Sequence, residues 1–135
     1  MTSAPQLYLL TPADFAPEAL AESLARVLDA APVACLRLDL ASQDEGRLSA
    51  AARAVLALAR PRSLPVTITA HTALAGQLGL DGVHLSGDAR AVHAARRALG
   101  ADAIVGAHAG ASCHAGLVAG EAGADYVTFG PVRAG

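Results

Sequence analysis

Five short stretches of the chain alternate polar with apolar residues. Arg37 and Asp39 alternate with Leu36, Leu38 and Leu40, and Thr67, Thr69 and His71 with Val66 and Ile68. His84 and Ser86 alternate with Val83 and Leu85, and Tyr126 and Thr128 with Val127 and Phe129. His108 stands in step with Ile104 and Gly106. A strand repeats every two residues, so each polar set shares one face. An unpaired charge removed from water costs several kcal/mol, so Arg37 and Asp39 are expected to meet each other or a charged ligand. Two arrangements produce such a face. One is a sheet with a solvent-facing side; the other is a barrel interior whose polar residues converge at the C-terminal ends of the strands.

The elements that position these residues follow from capping and periodicity. Gly79-Leu-Asp-Gly-Val-His-Leu, Gly100-Ala-Asp-Ala-Ile-Val-Gly and Gly123-Ala-Asp-Tyr-Val-Thr-Phe share one grammar, beginning 21 and 23 residues apart. Each has glycine, aspartate two positions on, then β-branched or large apolar residues. Asp88 or a neighbour is placed to cap an alanine-rich helix over 89–99, and Ser112 one over 113–122. Gly100 and Gly123 stand where a helix ends in a left-handed residue. Upstream, the pattern predicts strands over 7–10, 33–40 and 65–70, and helices over 17–30, 44–59 and 72–78. Leu20, Leu24, Val27 and Leu28 form one apolar stripe, and Leu48, Ala52, Val55 and Leu56 another. Strands alternating with helices imply parallel pairing through right-handed crossovers.

The 135 residues are one domain's worth, spanning 1–135 without a visible linker. An eight-stranded barrel typically needs roughly 200 to 250 residues, so length favours an open parallel α/β sheet, whereas the polar faces favour a TIM-type barrel. At a formal charge of -2 with no basic run, nucleic acid is not an expected partner. No apolar run approaches the roughly 20 residues of a membrane span, and no secretory leader pattern opens the chain. Cys35 and Cys113 lie far apart without a CxxC pair, so a reducing cytoplasm is expected, with both behaving as small buried hydrophobes.

The phrases Leu-Tyr-Leu-Leu-Thr at 7–11, Asp81-Gly-Val-His-Leu and Gly123-Ala-Asp-Tyr-Val-Thr-Phe-Gly-Pro-Val resemble the thiamine phosphate synthase and thiazole tautomerase family. The resemblance implies an α/β barrel, with about six of its eight βα units present here. It also implies coupling of hydroxymethylpyrimidine diphosphate to a thiazole phosphate with Mg2+, releasing diphosphate. In the family the loop after the sixth strand contacts phosphate; here it starts at Gly130, and the sequence stops at Gly135. Either the product is longer, or another chain completes a six-stranded remnant, and the uncovered polar face then favours a homodimer.

Residue by residue, the family's diphosphate-gripping Gln-x-Arg-x-Lys corresponds to Cys35-Leu-Arg37-Leu-Asp39, leaving Arg37 as the substrate-binding group. The family's Asn-Asp on the third strand falls on Thr69 and Ala70, followed by His71. The magnesium aspartate falls on Ala89, one residue from Asp88, which becomes the expected metal ligand. His108 replaces a substrate-contacting serine and is the expected catalytic residue, as a general base. Pro131 stands where the tautomerase branch has its catalytic histidine, which argues against a conventional tautomerase. Two further readings stay open. One is a diverged barrel that binds small phosphorylated ligands without the synthase reaction. The other is a metal-dependent enzyme built on His71, His108 and Asp88. His84 is expected to be a hydrogen-bonded interior histidine, His93 and His114 to be solvated, and Asp81, Asp102 and Asp125 to serve turns.

Overall fold

The computed structural model describes residues 7–12, 14–86 and 88–130. Along the chain come β1 (Tyr8–Leu10), α1 (Pro17–Ala30), β2 (Cys35–Leu38), α2 (Glu45–Ala59), β3 (Val66–Thr69), α3 (Thr72–Leu78), β4 (Gly82–Ser86), α4 (Ala89–Leu99), β5 (Ile104–His108), α5 (Cys113–Glu121) and β6 (Tyr126–Thr128). The strands lie in the order β1-β2-β3-β4-β5-β6. A doubly wound sheet reverses its strand order part-way, and the ligand crevice forms at the reversal. No reversal occurs here. Strand order that follows chain order is the winding of a barrel-type α/β fold, which decides against the open sheet that length alone favoured.

The chain divides into two compact units, residues 1–67 and 68–135, with the boundary inside β3. In the first, β1 pairs in parallel with β2, Leu9 opposite Leu36. The pairing runs on at one end, where Thr11 N–H donates to the Arg37 carbonyl over 3.0 Å. Asp44 caps α2, its carboxylate accepting the Arg47 N–H at 2.9 Å. The helix buries Leu48, Ala51, Ala52, Val55 and Ala59, with Leu36, Leu38 and Val66 also in the core. On α1 the stripe is only partly covered: Leu24 is buried, whereas Val27 is exposed.

In the second unit β4 pairs in parallel with β5 and β5 with β6. Val83, Leu85, Val105 and Ala107 form one buried face, joined by Val92 and Ala95 of α4. Asp88 caps α4 and Ser112 caps α5 through their side-chain oxygens, as the sequence predicts. Gly79, Gly100 and Gly123, which follow helices, all have positive φ. Gly100, at φ 97 and ψ 177, takes an extended glycine conformation rather than the left-handed helical one expected.

Asp125 does more than serve a turn. Its Oδ2 accepts the Val105 N–H at 2.7 Å and a guanidinium N–H of Arg96 at 2.8 Å. The same guanidinium donates to the carbonyls of Ala103 at 2.6 Å and Gly123 at 2.8 Å, with longer bonds to Gly100 and Ala101. One side chain of α4 thereby ties down the loops entering β5 and β6. Replacing it by a methionine of similar length removes every one of these donors. Arg96→Met is expected to lower unfolding stability by about 2 kcal/mol, a figure moderated by partial solvent exposure of the ion pair. Urea denaturation of both proteins measures it; an unchanged midpoint would rule out this structural role.

Candidate functional site

Strand register creates two polar tiers in the second unit. His84 stands opposite Gly106, which stands opposite Tyr126; one step nearer the C-terminal ends, Ser86 is opposite His108 and His108 opposite Thr128. In the lower tier Tyr126 reaches across β5. Its phenol oxygen lies 2.8 Å from His84 Nδ1, and the two rings stack with centroids 5.6 Å apart. The crossing depends on the missing side chain at Gly106, because a Cβ there would collide with Cζ, Cε1 and the phenol oxygen of Tyr126. Glycine here serves close approach, not backbone conformation. In the upper tier His108 Nδ1 lies 2.8 Å from Thr128 Oγ1, and the His108 ring is 6.4 Å from that of His84. His84 is buried, as expected of an interior histidine, whereas His108 is exposed.

The end of β3 is tightly turned. Ala70 has φ 72, a region that side chains with a Cβ seldom occupy, and its N–H donates to the His84 carbonyl at 2.9 Å. The N–H groups of His71 and Thr72 donate to the carbonyls two residues back, both at 3.0 Å. This pair of three-residue turns leads from Thr69 directly into α3, with His71 as the half-buried residue before the helix. Thr69 Oγ1 is buried and has no hydrogen-bond partner among the described residues.

In the first unit Arg37 is half-buried, its guanidinium carbon 5.7 Å from the centre of the Tyr8 ring. That contact uses the π face and leaves hydrogen-bonding capacity unused. Arg37 Nε is buried without an acceptor among the described residues, and no ion pair joins Arg37 to Asp39. Of the two outcomes expected for these charges, mutual pairing does not occur. Tyr8 is the contact that sequence reading missed, because β1 is too short for its alternation to stand out.

The other expected positions fall as follows. Asp88 is exposed and its Oδ1 accepts the Arg90 N–H at 2.8 Å, so one oxygen caps α4 while no partner is present for Oδ2 among the described residues. The Gly130 N–H is already used, donating to the Gly110 carbonyl at 2.9 Å. Pro131 lies outside the described residues. No group of three or more His, Cys, Asp or Glu side chains comes together among the described residues. The three-residue metal reading built on His71, His108 and Asp88 therefore loses its support. Cys35 is buried as expected, but Cys113 is exposed at the start of α5. His93 and His114 are exposed on their helices.

Comparison with known proteins gives the family and the fold. The family model for thiamine monophosphate synthase matches residues 7–135. The chain belongs to that family. It is 42% identical over 125 residues to the thiamine-phosphate synthase of Rhodospirillum centenum, covering 93% of this chain and 60% of that protein. With the thiamine-phosphate synthase of Hyphomonas neptunium the identity is 44% over 131 residues, with 93% and 59% covered. Among solved structures, a thiamine phosphate pyrophosphorylase from Pyrococcus furiosus superposes with a TM-score of 0.76 at 20% identity, covering 95% of this chain and 61% of that one. The last likeness concerns the fold, and it is that of a TIM-like barrel. The chain spans about three fifths of the length of these relatives. The chain has Asp39 two positions after Arg37 and carries His108 beside Thr128.

The crossing over Gly106 generates a direct test. Gly106→Ala is expected to push Tyr126 off His84 and to cost about 1 to 3 kcal/mol, the usual range for overpacking a filled site. Urea unfolding gives the energy, and the Tyr126 ring resonances in an NMR spectrum report the displacement. A variant with unchanged stability and unshifted Tyr126 signals would show that the ring does not need the space.

Proposed function

We propose that the chain carries the thiamine phosphate synthase activity of its family. In that reaction hydroxymethylpyrimidine diphosphate is coupled to a thiazole phosphate and diphosphate departs. The observation that carries this reading is Arg37 Nε on β2, buried and without a hydrogen-bond partner among the described residues. A buried donor without an acceptor costs about 1 to 3 kcal/mol, and an anionic ligand supplies acceptors of the kind a guanidinium fork recognises. In this reading Arg37 binds the diphosphate and neutralises its charge as it leaves, the point at which electrostatic stabilisation contributes most to rate. Thr69 and His71 contact the substrate at the β3 end, His108 meets a phosphate-bearing substrate at the β5 end, and Gly130 borders it through its backbone. The substrates are small phosphorylated molecules.

Magnesium, which the family implies, prefers hard oxygen ligands and commonly takes one or two carboxylates together with substrate phosphates and water. Asp88 fits that limited role, since capping α4 occupies Oδ1 and leaves Oδ2 for an ion. Bound there, the ion would supply positive charge to offset that of diphosphate. Asn caps a helix as well as Asp does, so two substitutions separate the roles. Asp88→Asn is expected to keep the stability of the chain and weaken its Mg2+ affinity, measured by calorimetric titration. Asp88→Ala is expected to lose about 1 kcal/mol of stability as well. Equal Mg2+ affinity in all three proteins would dismiss Asp88 as the ligand.

A second reading, a phosphate-ligand-binding barrel that has lost the reaction, is favoured by three specific positions. Asp39 stands where the family has lysine, Ala70 where it has aspartate, and the Gly130 amide is already bonded to Gly110. The deciding experiment incubates the 135-residue chain with both substrates and Mg2+ and measures thiamine phosphate. Product above a no-enzyme control, reduced about a hundredfold by Arg37→Ala, is the expected result. Substrate binding without product would replace the synthase reading by the second one.

A further inference from the structure

Among the described residues, His108 has one hydrogen-bond partner for its ring, Thr128. His108 Nδ1 and Thr128 Oγ1 are 2.8 Å apart at a position where the two residues are paired in register. The Thr128 hydroxyl can donate its one hydrogen to Nδ1 or accept one from it, according to the tautomer. β-Branching limits rotation of the threonine side chain, so the bond is held in one geometry. When the hydroxyl donates, Nδ1 is the unprotonated nitrogen of the neutral ring and Nε2 bears the hydrogen. The ring is exposed at the C-terminal end of β5. In that form it offers a ligand a single N–H donor and no lone pair. That suits a phosphate oxygen and defeats the general-base role that residue type alone suggests.

We propose that Thr128 is a positioning residue that fixes neutral His108 in its Nε2–H tautomer, making the imidazole an N–H donor to a phosphate-class anion. The proposal rests on the reading of this site as one that takes phosphorylated ligands, and it holds whether or not the synthase reaction occurs.

The test uses the 15N-labelled 135-residue chain at about pH 8. Long-range 15N–1H correlation spectra distinguish the tautomers, and loss of signals in His108→Gln assigns His108. The expected spectrum shows unprotonated Nδ1 and protonated Nε2. Thr128→Val, which keeps the shape and removes the hydroxyl, should give a mixture of tautomers; Thr128→Ser should restore the single form. Inorganic pyrophosphate should shift Nε2 in the original chain, with its affinity lowered roughly threefold to tenfold in Thr128→Val, as expected for one hydrogen bond. Protonated Nδ1 in the original chain would overturn the proposal and return His108 to the role of base. A tautomer indifferent to Thr128, or an Nε2 signal indifferent to pyrophosphate, would overturn it as well. Pyrophosphate shifting Nε2 while no thiamine phosphate is formed would support it and reject only the synthase reading.

Discussion

In-register parallel pairing of β4, β5 and β6 is the constraint on which the second unit's site depends. It sets His84, Gly106 and Tyr126 in one row and Ser86, His108 and Thr128 in the next. A one-residue slip would turn every one of these side chains to the opposite face, where Val83, Leu85, Val105 and Ala107 are buried. The apolar face therefore enforces the polar one. Register is held at one end by Arg96 and Asp125, whose carboxylate bonds directly to the β5 backbone at Val105. Stabilising contacts lie at the strand entrances and ligand-accessible groups at the strand exits. This is the division of labour expected of a parallel barrel-type fold.

Two kinds of polar residue occupy the strand faces. Some satisfy one another: His84 with Tyr126 and His108 with Thr128. Others have no hydrogen-bond partner among the described residues, notably Arg37 Nε and Thr69 Oγ1. Self-satisfied pairs order the strand faces without a ligand, whereas the others keep hydrogen-bonding capacity to spare. The two histidines also differ in exposure, so their similar partners do not give them the same access to a ligand.

Much of this arrangement was legible before any coordinates. α1, α3 and α4 have the boundaries that their caps and periodicity predict, because proline, aspartate and glycine act locally. Alternation correctly separated Val83 and Leu85 from His84 and Ser86. The sequence could not show strand order, which length argued wrongly and the absence of a reversal decided. Nor could it show that Arg37 meets Tyr8 rather than Asp39, since that contact joins residues remote in the chain. Gly106 read as one more strand glycine until the Tyr126 ring was seen lying over it. Val27 and Cys113 were expected inside from residue type and stand outside, because exposure follows from what packs alongside.

The aromatic content gives the Tyr126 crossing an optical consequence. The chain has no tryptophan and two tyrosines. Ultraviolet emission from this protein is therefore tyrosine emission. One phenol lies beside the guanidinium of Arg37, and the other is hydrogen-bonded to an imidazole nitrogen. Excited phenols are strong acids, and a neighbouring imidazole can take the proton and darken the ring. The native chain thus contains an unlabelled light-emitting reporter in each of its two units, next to the side chains that matter most in each.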